Sequence, residues 1–118
     1  MKLQQLNILL ADDDADDCTF FKAAIEELLP STNLKIVNDG EQLMDCLSEK
    51  EVQIPDVLFL DINMPRKNGL ECLSEIKQNK NLKDIPVVMF STSNSWDTIN
   101  MHFKSGVNVY VYKHSRHS

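Results

Sequence analysis

Breakers and rings are scarce: three glycines and four prolines in 118 residues, with aromatic residues at 7%. That scarcity leaves no Gly/Pro-rich linker and no low-complexity tract, so nothing marks an internal domain boundary. The three cysteines, Cys18, Cys46 and Cys72, are odd in number and far apart. They exclude both a disulfide framework and a CxxC metal or redox pair, and read as small core residues in a reducing compartment. Long apolar runs are also missing. The stretch ahead of Asp12 is too short for a signal-peptide core or a membrane span, and the expectation is a soluble, cytoplasmic protein without membrane contact. Basic charge is short as well: 12 Lys and Arg against 18 Asp and Glu leave a net charge of −6. Such a balance disfavours nucleic acid and favours cations or basic protein surfaces.

What is present is enough for one core. Hydrophobic content of 42% with 25% charged residues excludes a disordered tail. One domain over 1–118 is expected, with its core at about 7–113 and 114–118 as a short tail. Five apolar runs, Ile8 to Ala11, Leu34 to Val37, Val57 to Leu60, Val87 to Phe90 and Val109 to Tyr112, read as strands. Between them apolar residues recur at helical spacing: Cys18, Phe21, Ile25 and Leu28; Leu43 and Leu47; Leu70, Leu73 and Ile76; Trp96, Ile99 and Phe103. Continuous apolar character places the third and fourth strands centrally, whereas Lys35 between Leu34 and Ile36 puts the second at an edge. Asp39-Gly40 and Asn68-Gly69 mark turns, and Pro30 stops the first helix. Strands alternating with helices predict an α/β fold: a flavodoxin-like, doubly wound, five-stranded parallel sheet in the order 2-1-3-4-5. In that order the first and third strands are neighbours, and a crevice opens at their carboxyl ends.

Five aspartates crowd positions 12–17. A helix start explains three of them, with Asp14 or Asp13 as cap and Asp16 and Asp17 near the positive helix end. Asp12 and Asp13 come directly off the first strand, as Asp61 comes off the third. Neighbouring strands lie about 4.8 Å apart, so these three carboxylates converge. Without a counter-charge one must raise its pKa or recruit a cation, and an all-oxygen set fits Mg²⁺. An EF-hand loop over Asp12, Asp14 and Asp16 fails at Asp17, where the turn needs glycine, and at Ala23, where the bidentate acid belongs. Ser91 ends the fourth strand and Lys113 follows the fifth on the same rim. A carboxylate nucleophile flanked by a cation, a hydroxyl and an ammonium suits phosphoryl transfer.

The stretches ILLADDD, LDINMPRKNG, PVVMFSTS and VYVYK, in that order from about Asn7 to Lys113, resemble the receiver domain of two-component response regulators. The resemblance implies that Asp61 is the phosphoacceptor, supplied by a histidine kinase, a histidine phosphotransfer protein or a small donor such as acetyl phosphate. It implies Mg²⁺ held by Asp12, Asp13, Asp61 and the backbone carbonyl of Asn63. Ser91 matches the family's switch hydroxyl and Lys113 its lysine. Tyr110 matches the aromatic switch, although a strand aromatic reads equally as core. Asn63 and Ser93 occupy the two positions that tune autodephosphorylation. Output is a downstream protein contact near the fourth helix and fifth strand. Met64-Pro65 and Gly69 need no more than loop geometry.

Two departures accompany the resemblance. His114 stands where the family has proline, and His-Ser-Arg-His-Ser is too short and polar to form the family's fifth helix. The expectation is exposed apolar surface, an uncapped edge strand at Val109 to Tyr112, and self-association as a homodimer or by exchange of an element. His114 and His117 on the tail read as solvated rather than as a metal pair. Two rival functions are weaker. A small aspartyl-phosphate phosphatase or phosphotransferase carries a second acid two residues after its nucleophile, where this chain has Asn63. A flavodoxin-like cofactor module needs a glycine- or hydroxyl-rich phosphate loop where this chain has acids. The leading expectation is a phosphorylation switch rather than an enzyme acting on a separate metabolite.

Overall fold

A computed structural model describes residues 5–49, 53–93 and 95–113. The strands are β1 (Asn7–Ala11), β2 (Asn33–Val37), β3 (Val57–Asp61), β4 (Val87–Ser91) and β5 (Val109–Tyr112). Between them lie α1 (Ala15–Leu28), α2 (Gly40–Ser48), α3 (Gly69–Gln78) and α4 (Trp96–Lys104). Every pairing is parallel, and the order is β2-β1-β3-β4-β5. This is the expected doubly wound sheet, with four helices among the described residues.

Short polar side chains start three of the helices. Asp14 Oδ1 accepts from the Asp17 N–H at 3.0 Å, Asp39 Oδ1 from Gln42 at 2.8 Å and Asn68 Oδ1 from Glu71 at 2.9 Å. Each satisfies a backbone donor that the first helical turn leaves unpaired. The Asp39-Gly40 and Asn68-Gly69 pairs are therefore caps, with glycine as the first helical residue. Glycine is needed there for close approach. A Cβ on Gly40 would lie 2.0 Å from the Lys67 carbonyl oxygen, and one on Gly69 would lie 2.7 Å from that of Asp61. The loop after β3 is thereby pressed onto the N-termini of α2 and α3.

The sheet has two unequal faces. On one, Leu58, Leu60, Val87 and Met89 are 0% exposed beneath Leu43, Cys46 and Leu47 of α2 and Cys72, Leu73 and Ile76 of α3. Tyr110 registers with Met89 and stacks on His102, which brings α4 to the same face. On the other face lies α1, whose Phe21 packs edge-on against Phe59 with centroids 4.8 Å apart; Phe59 stacks on Phe90 at 5.8 Å. Beyond Phe90 this face is open: Val109 is 49% and Val111 36% exposed on the edge strand β5.

Two expected helix stripes differ from the observed ones. In α4 the buried residue is His102, while Trp96 is 73% exposed and Phe103 is also exposed. Stacking on Tyr110 and the hydrogen bond from the Val107 N–H to the His102 carbonyl (3.2 Å) rotate the helix so that His102 faces inward. In α1, Cys18 is buried as expected but Leu28 is 73% exposed.

Candidate functional site

The chain leaves β1 for α1 on the open face and leaves β3 for α3 on the closed face. The two connections part directly above neighbouring strand ends, registered as Ala11 with Leu60. Asp12, Asp13 and Asp61 lie at this divergence, and one carboxylate oxygen from each falls within 4.8 Å of the others. Asp12 and Asp61 are buried, and Asp13 is exposed. The Asp12 N–H still bonds to Val37 (3.1 Å), which fixes the residue in the ladder between β1 and β2. Its Oδ1 accepts from the Asp14 N–H at 2.9 Å, and Asp61 Oδ1 accepts from the Asn63 N–H at 3.1 Å. Burial pushes the Asp61 carboxyl from its ordinary 3.8 up to about 7. The Asn63 N–H and Lys113 oppose that rise, and Asp12 adds to it. Asp61 is thus a carboxylate that a cation would stabilise.

Lys113 reaches this cluster from the end of β5. Its N–H bonds to the Ser91 carbonyl at 2.7 Å, continuing the sheet. Its Nζ ion-pairs with Asp17 and lies 3.2 Å from Asp12 Oδ2 and 3.8 Å from Asp61 Oδ2. Burial works against the ammonium, but the hydrogen bond to Asp17 and the Asp61 and Asp12 carboxylates outweigh it and raise its pKa. Ser91 is buried at the end of β4, and its Oγ accepts from the Ser93 N–H at 3.1 Å. The Ser93 carbonyl in turn accepts from the Tyr110 hydroxyl at 2.6 Å. A continuous path therefore runs from the Ser91 hydroxyl through the loop after β4 to the ring of Tyr110, which also stacks on His102 at 5.3 Å.

The expected residues are thus gathered on one rim: Asp12, Asp13, Asp61, Ser91 and Lys113, with Asn63 tied to Asp61 and Ser93 tied to Ser91. Tyr110 stands one connection back. His114 and His117 lie outside the described residues. Cys18 donates its thiol to the Asp12 carbonyl at 3.4 Å, and burial followed by the charge of Asp12 raises its pKa to about 11. It is a buried thiol, as its sequence context suggested. Two residues at the site carried other readings in the sequence. In the sequence Asp17 reads as helix-end charge, yet it stands four residues before Phe21 on the sheet-facing side of α1, which aims it at Lys113. His102 falls between the apolar positions Ile99 and Phe103 of α4; its partner Tyr110 lies on a different element, so no local spacing reports it.

Comparison with known proteins agrees with this geometry. Residues 8–118 match the family profile described as response regulator receiver domain. The response regulator Rcp1 of Synechocystis sp. is 34% identical over 110 residues, covering 90% of this chain and 75% of that protein. A crystal structure of the Mn²⁺-bound form of Rcp1 superposes with a TM-score of 0.86 at 35% identity, over 94% of this chain and 82% of the other. The phosphorylated cyanobacterial phytochrome response regulator RcpA gives 0.86 at 33% identity, over 96% and 84%. Sheet order, rim chemistry and these likenesses agree: the chain belongs to the response regulator receiver domain family, whose work is phosphorylation-dependent two-component signalling.

Proposed function

We propose that Asp61 is the phosphoacceptor of this receiver domain. The observation that carries the proposal is the convergence of the Asp12, Asp13 and Asp61 oxygens within 4.8 Å, with the Lys113 ammonium 3.8 Å from Asp61. An Asp61 oxygen attacks the phosphorus of a phosphohistidine on a kinase or phosphotransfer protein, or of acetyl phosphate. The P–N or P–O bond breaks, and its electron pair leaves with the imidazole or acetate. Lys113 and the Ser91 hydroxyl then pair with phosphoryl oxygens.

The donor set is all oxygen and carries three formal charges, which fits a hard divalent cation. We assign Mg²⁺ to Asp12, Asp13, Asp61 and the Asn63 carbonyl. When bound it supplies neutralisation of the charge that builds on the phosphoryl group. Movement of the Ser91 hydroxyl toward the phosphoryl group gives up its bond from Ser93, and the Ser93 carbonyl is what holds Tyr110. In this reading Ser91 and Tyr110 are the switch, and the surface they alter is α4 and β5, where a downstream protein binds. The Asn63 carboxamide positions the water that ends the signal, and Ser93 tunes its access. An amide at 63 cannot relay a proton, so the cycle restores the protein itself rather than turning over a separate substrate.

Cytoplasmic residence belongs to the same reading; no described helix is long and apolar enough to cross a membrane. Self-association is supported by the open face beyond Phe90, and light scattering across a concentration series tests it: a constant monomer mass would refute it.

The central test is titration with beryllofluoride and Mg²⁺, comparing wild type with Asp61→Asn. A Mg²⁺-dependent adduct lost in the variant is expected, and an adduct retained in the variant moves the acceptor elsewhere. The acyl phosphate of Asn63→Ala is expected to outlive that of the wild type; equal or faster decay would remove Asn63 from this role.

A further inference from the structure

We infer that Asp17 is a positioning residue that holds the Lys113 ammonium on α1 and so restrains its engagement of a phosphoryl group on Asp61. The inference rests on the assignment of Asp61 as acceptor and adds a restraint to it. Lys113 faces three carboxylates, and the closest is not the acceptor. Its Nζ pairs with Asp17 Oδ2, then lies 3.2 Å from Asp12 Oδ2 and 3.8 Å from Asp61 Oδ2. The three partners also differ in depth. The side chains of Asp12 and Asp61 are 4% and 7% exposed, whereas those of Asp17 and Lys113 are 20% and 26% exposed. The ammonium is therefore drawn outward, to the mouth of the crevice, by a carboxylate that is not among the converging acids.

Asp17 is well placed to act as a fixed post. It lies in the first turn of α1, where its backbone N–H is tied to the capping Asp14 side chain at 3.0 Å. A negative side chain is favoured at that end of a helix. The lysine is the movable partner, a flexible stem carrying three donors. Its backbone is anchored by the bond from its N–H to Ser91, so the ammonium can redistribute among the carboxylates only by swinging its side chain. A phosphoryl group on Asp61 carries up to two negative charges where the free carboxylate carries one, and it places them on the inner side of that swing. The position of Lys113 is then a competition between the phosphoryl oxygens and Asp17. A ligand shifts such an equilibrium only by its differential interaction with the two arrangements, and Asp17 favours the arrangement without phosphoryl.

Removing the Asp17 charge takes away the outer competitor while leaving the acceptor, the converging acids and the lysine in place. With Mg²⁺ saturating, Asp17→Asn is expected to bind beryllofluoride about twofold to fivefold more tightly than wild type, the range of a partly exposed charge pair. Phosphorylation by acetyl phosphate should be faster by a similar factor. Asp17→Glu, which retains the carboxylate, should return toward wild type. Asp16→Asn removes the same unit charge from the same helical turn and should change affinity by less than about twofold, screened at the surface. An unchanged or weakened affinity in Asp17→Asn overturns the inference, and so does an equal gain in Asp16→Asn, which would make the effect one of general charge. The Asp61→Asn control separates the two levels. Persistence of the adduct in that variant, or its absence from wild type, sinks the acceptor assignment and this inference with it. A normal Asp61-dependent adduct with no Asp17 effect sinks only this inference.

Discussion

The two faces of the sheet are built from alternate residues of the same strands, yet they differ sharply. Leu58 and Leu60 point to the face of α2, α3 and α4 and are fully buried, while Phe59 between them points to α1 and is only partly covered. Toward β5 the contrast grows: Met89 is buried, but Val111, in register with Phe90 on the open side, is exposed. The closed face supplies the continuous core that holds the strands in register. Along the open face, Leu10, Phe20, Phe21, Phe90, Val111 and Tyr112 line a groove of about 380 Å³ that ends at Asp12, Asp17 and Lys113. Packing stability is concentrated on one side of the sheet. The other side carries apolar surface up to the edge of the charged rim.

That contrast can be broken first by truncation. Leu58→Ala, on the closed face, should cost about 2–5 kcal/mol in chemical denaturation, whereas Val111→Ala, on the open face, should cost under about 1 kcal/mol. Comparable losses would mean that the open face is covered in solution. Gly40→Ala tests the seam between the closed face and the rim. Its Cβ meets the Lys67 backbone, and overpacking of this kind costs about 1–3 kcal/mol. Mg²⁺ affinity should fall with it, because the displaced loop carries Asn63.

The rim itself is sharpened by pH. Asp61 holds its proton up to about 7, and proton and cation compete for it. Mg²⁺ binding should therefore strengthen as pH rises through 7 and weaken by up to about tenfold per unit well below it. A flat profile from pH 5 to 8 would show that no proton on Asp61 competes with the cation in that range.

Under the closed face, His102 is completely buried, its ring nitrogens have no hydrogen-bond partner among the described residues, and burial lowers its pKa from 6.5. The unfolded chain takes up that proton first, so this contribution to stability is present above about 6.5 and is lost as pH falls below it. Asp61 acts in the opposite sense: its folded value near 7 exceeds the ordinary 3.8, so the folded state retains more protons between those limits. Its contribution is present at low pH and lost as pH rises through 7. Comparing wild type with His102→Leu cancels that term. The wild type alone should show the extra acid loss, at most about 1.4 kcal/mol per pH unit.

The smallest effect is expected at Arg66. It adopts φ 67° and lies 3.5 Å from Asp39 and 3.9 Å from Glu41 with its side chain largely exposed. Left-handed strain of about 1 kcal/mol outweighs such exposed pairs, so Arg66→Gly should raise thermal stability slightly.

Much of this was legible in the sequence because it is local. Strand identity follows from runs such as Val-Leu-Phe-Leu, helix starts from Asp14, Asp39 and Asn68, and the rim from acids, a hydroxyl and a lysine standing immediately after apolar runs. A residue that ends a parallel strand must lie at the carboxyl edge, so Asp12, Asp61, Ser91 and Lys113 were placed by arithmetic alone. The inward position of His102 was not legible. Helical periodicity ranks residues by polarity, and a histidine is buried here because Tyr110, on another element, offers it a ring.

The order of the residues along the chain therefore determined the fold class, the strand order and which side chains reach the rim, since each depends on alternation and adjacency. Only the tertiary structure decided how the charges are shared there: that Lys113 pairs with Asp17 more closely than with Asp61, that Asp61 is buried enough to hold its proton near 7, and that Ser93 links Ser91 to Tyr110. Those outcomes depend on contacts within 4 Å between residues as far as 101 positions apart. Such separations are set by how the helices press on the sheet, and no spacing along the chain encodes them.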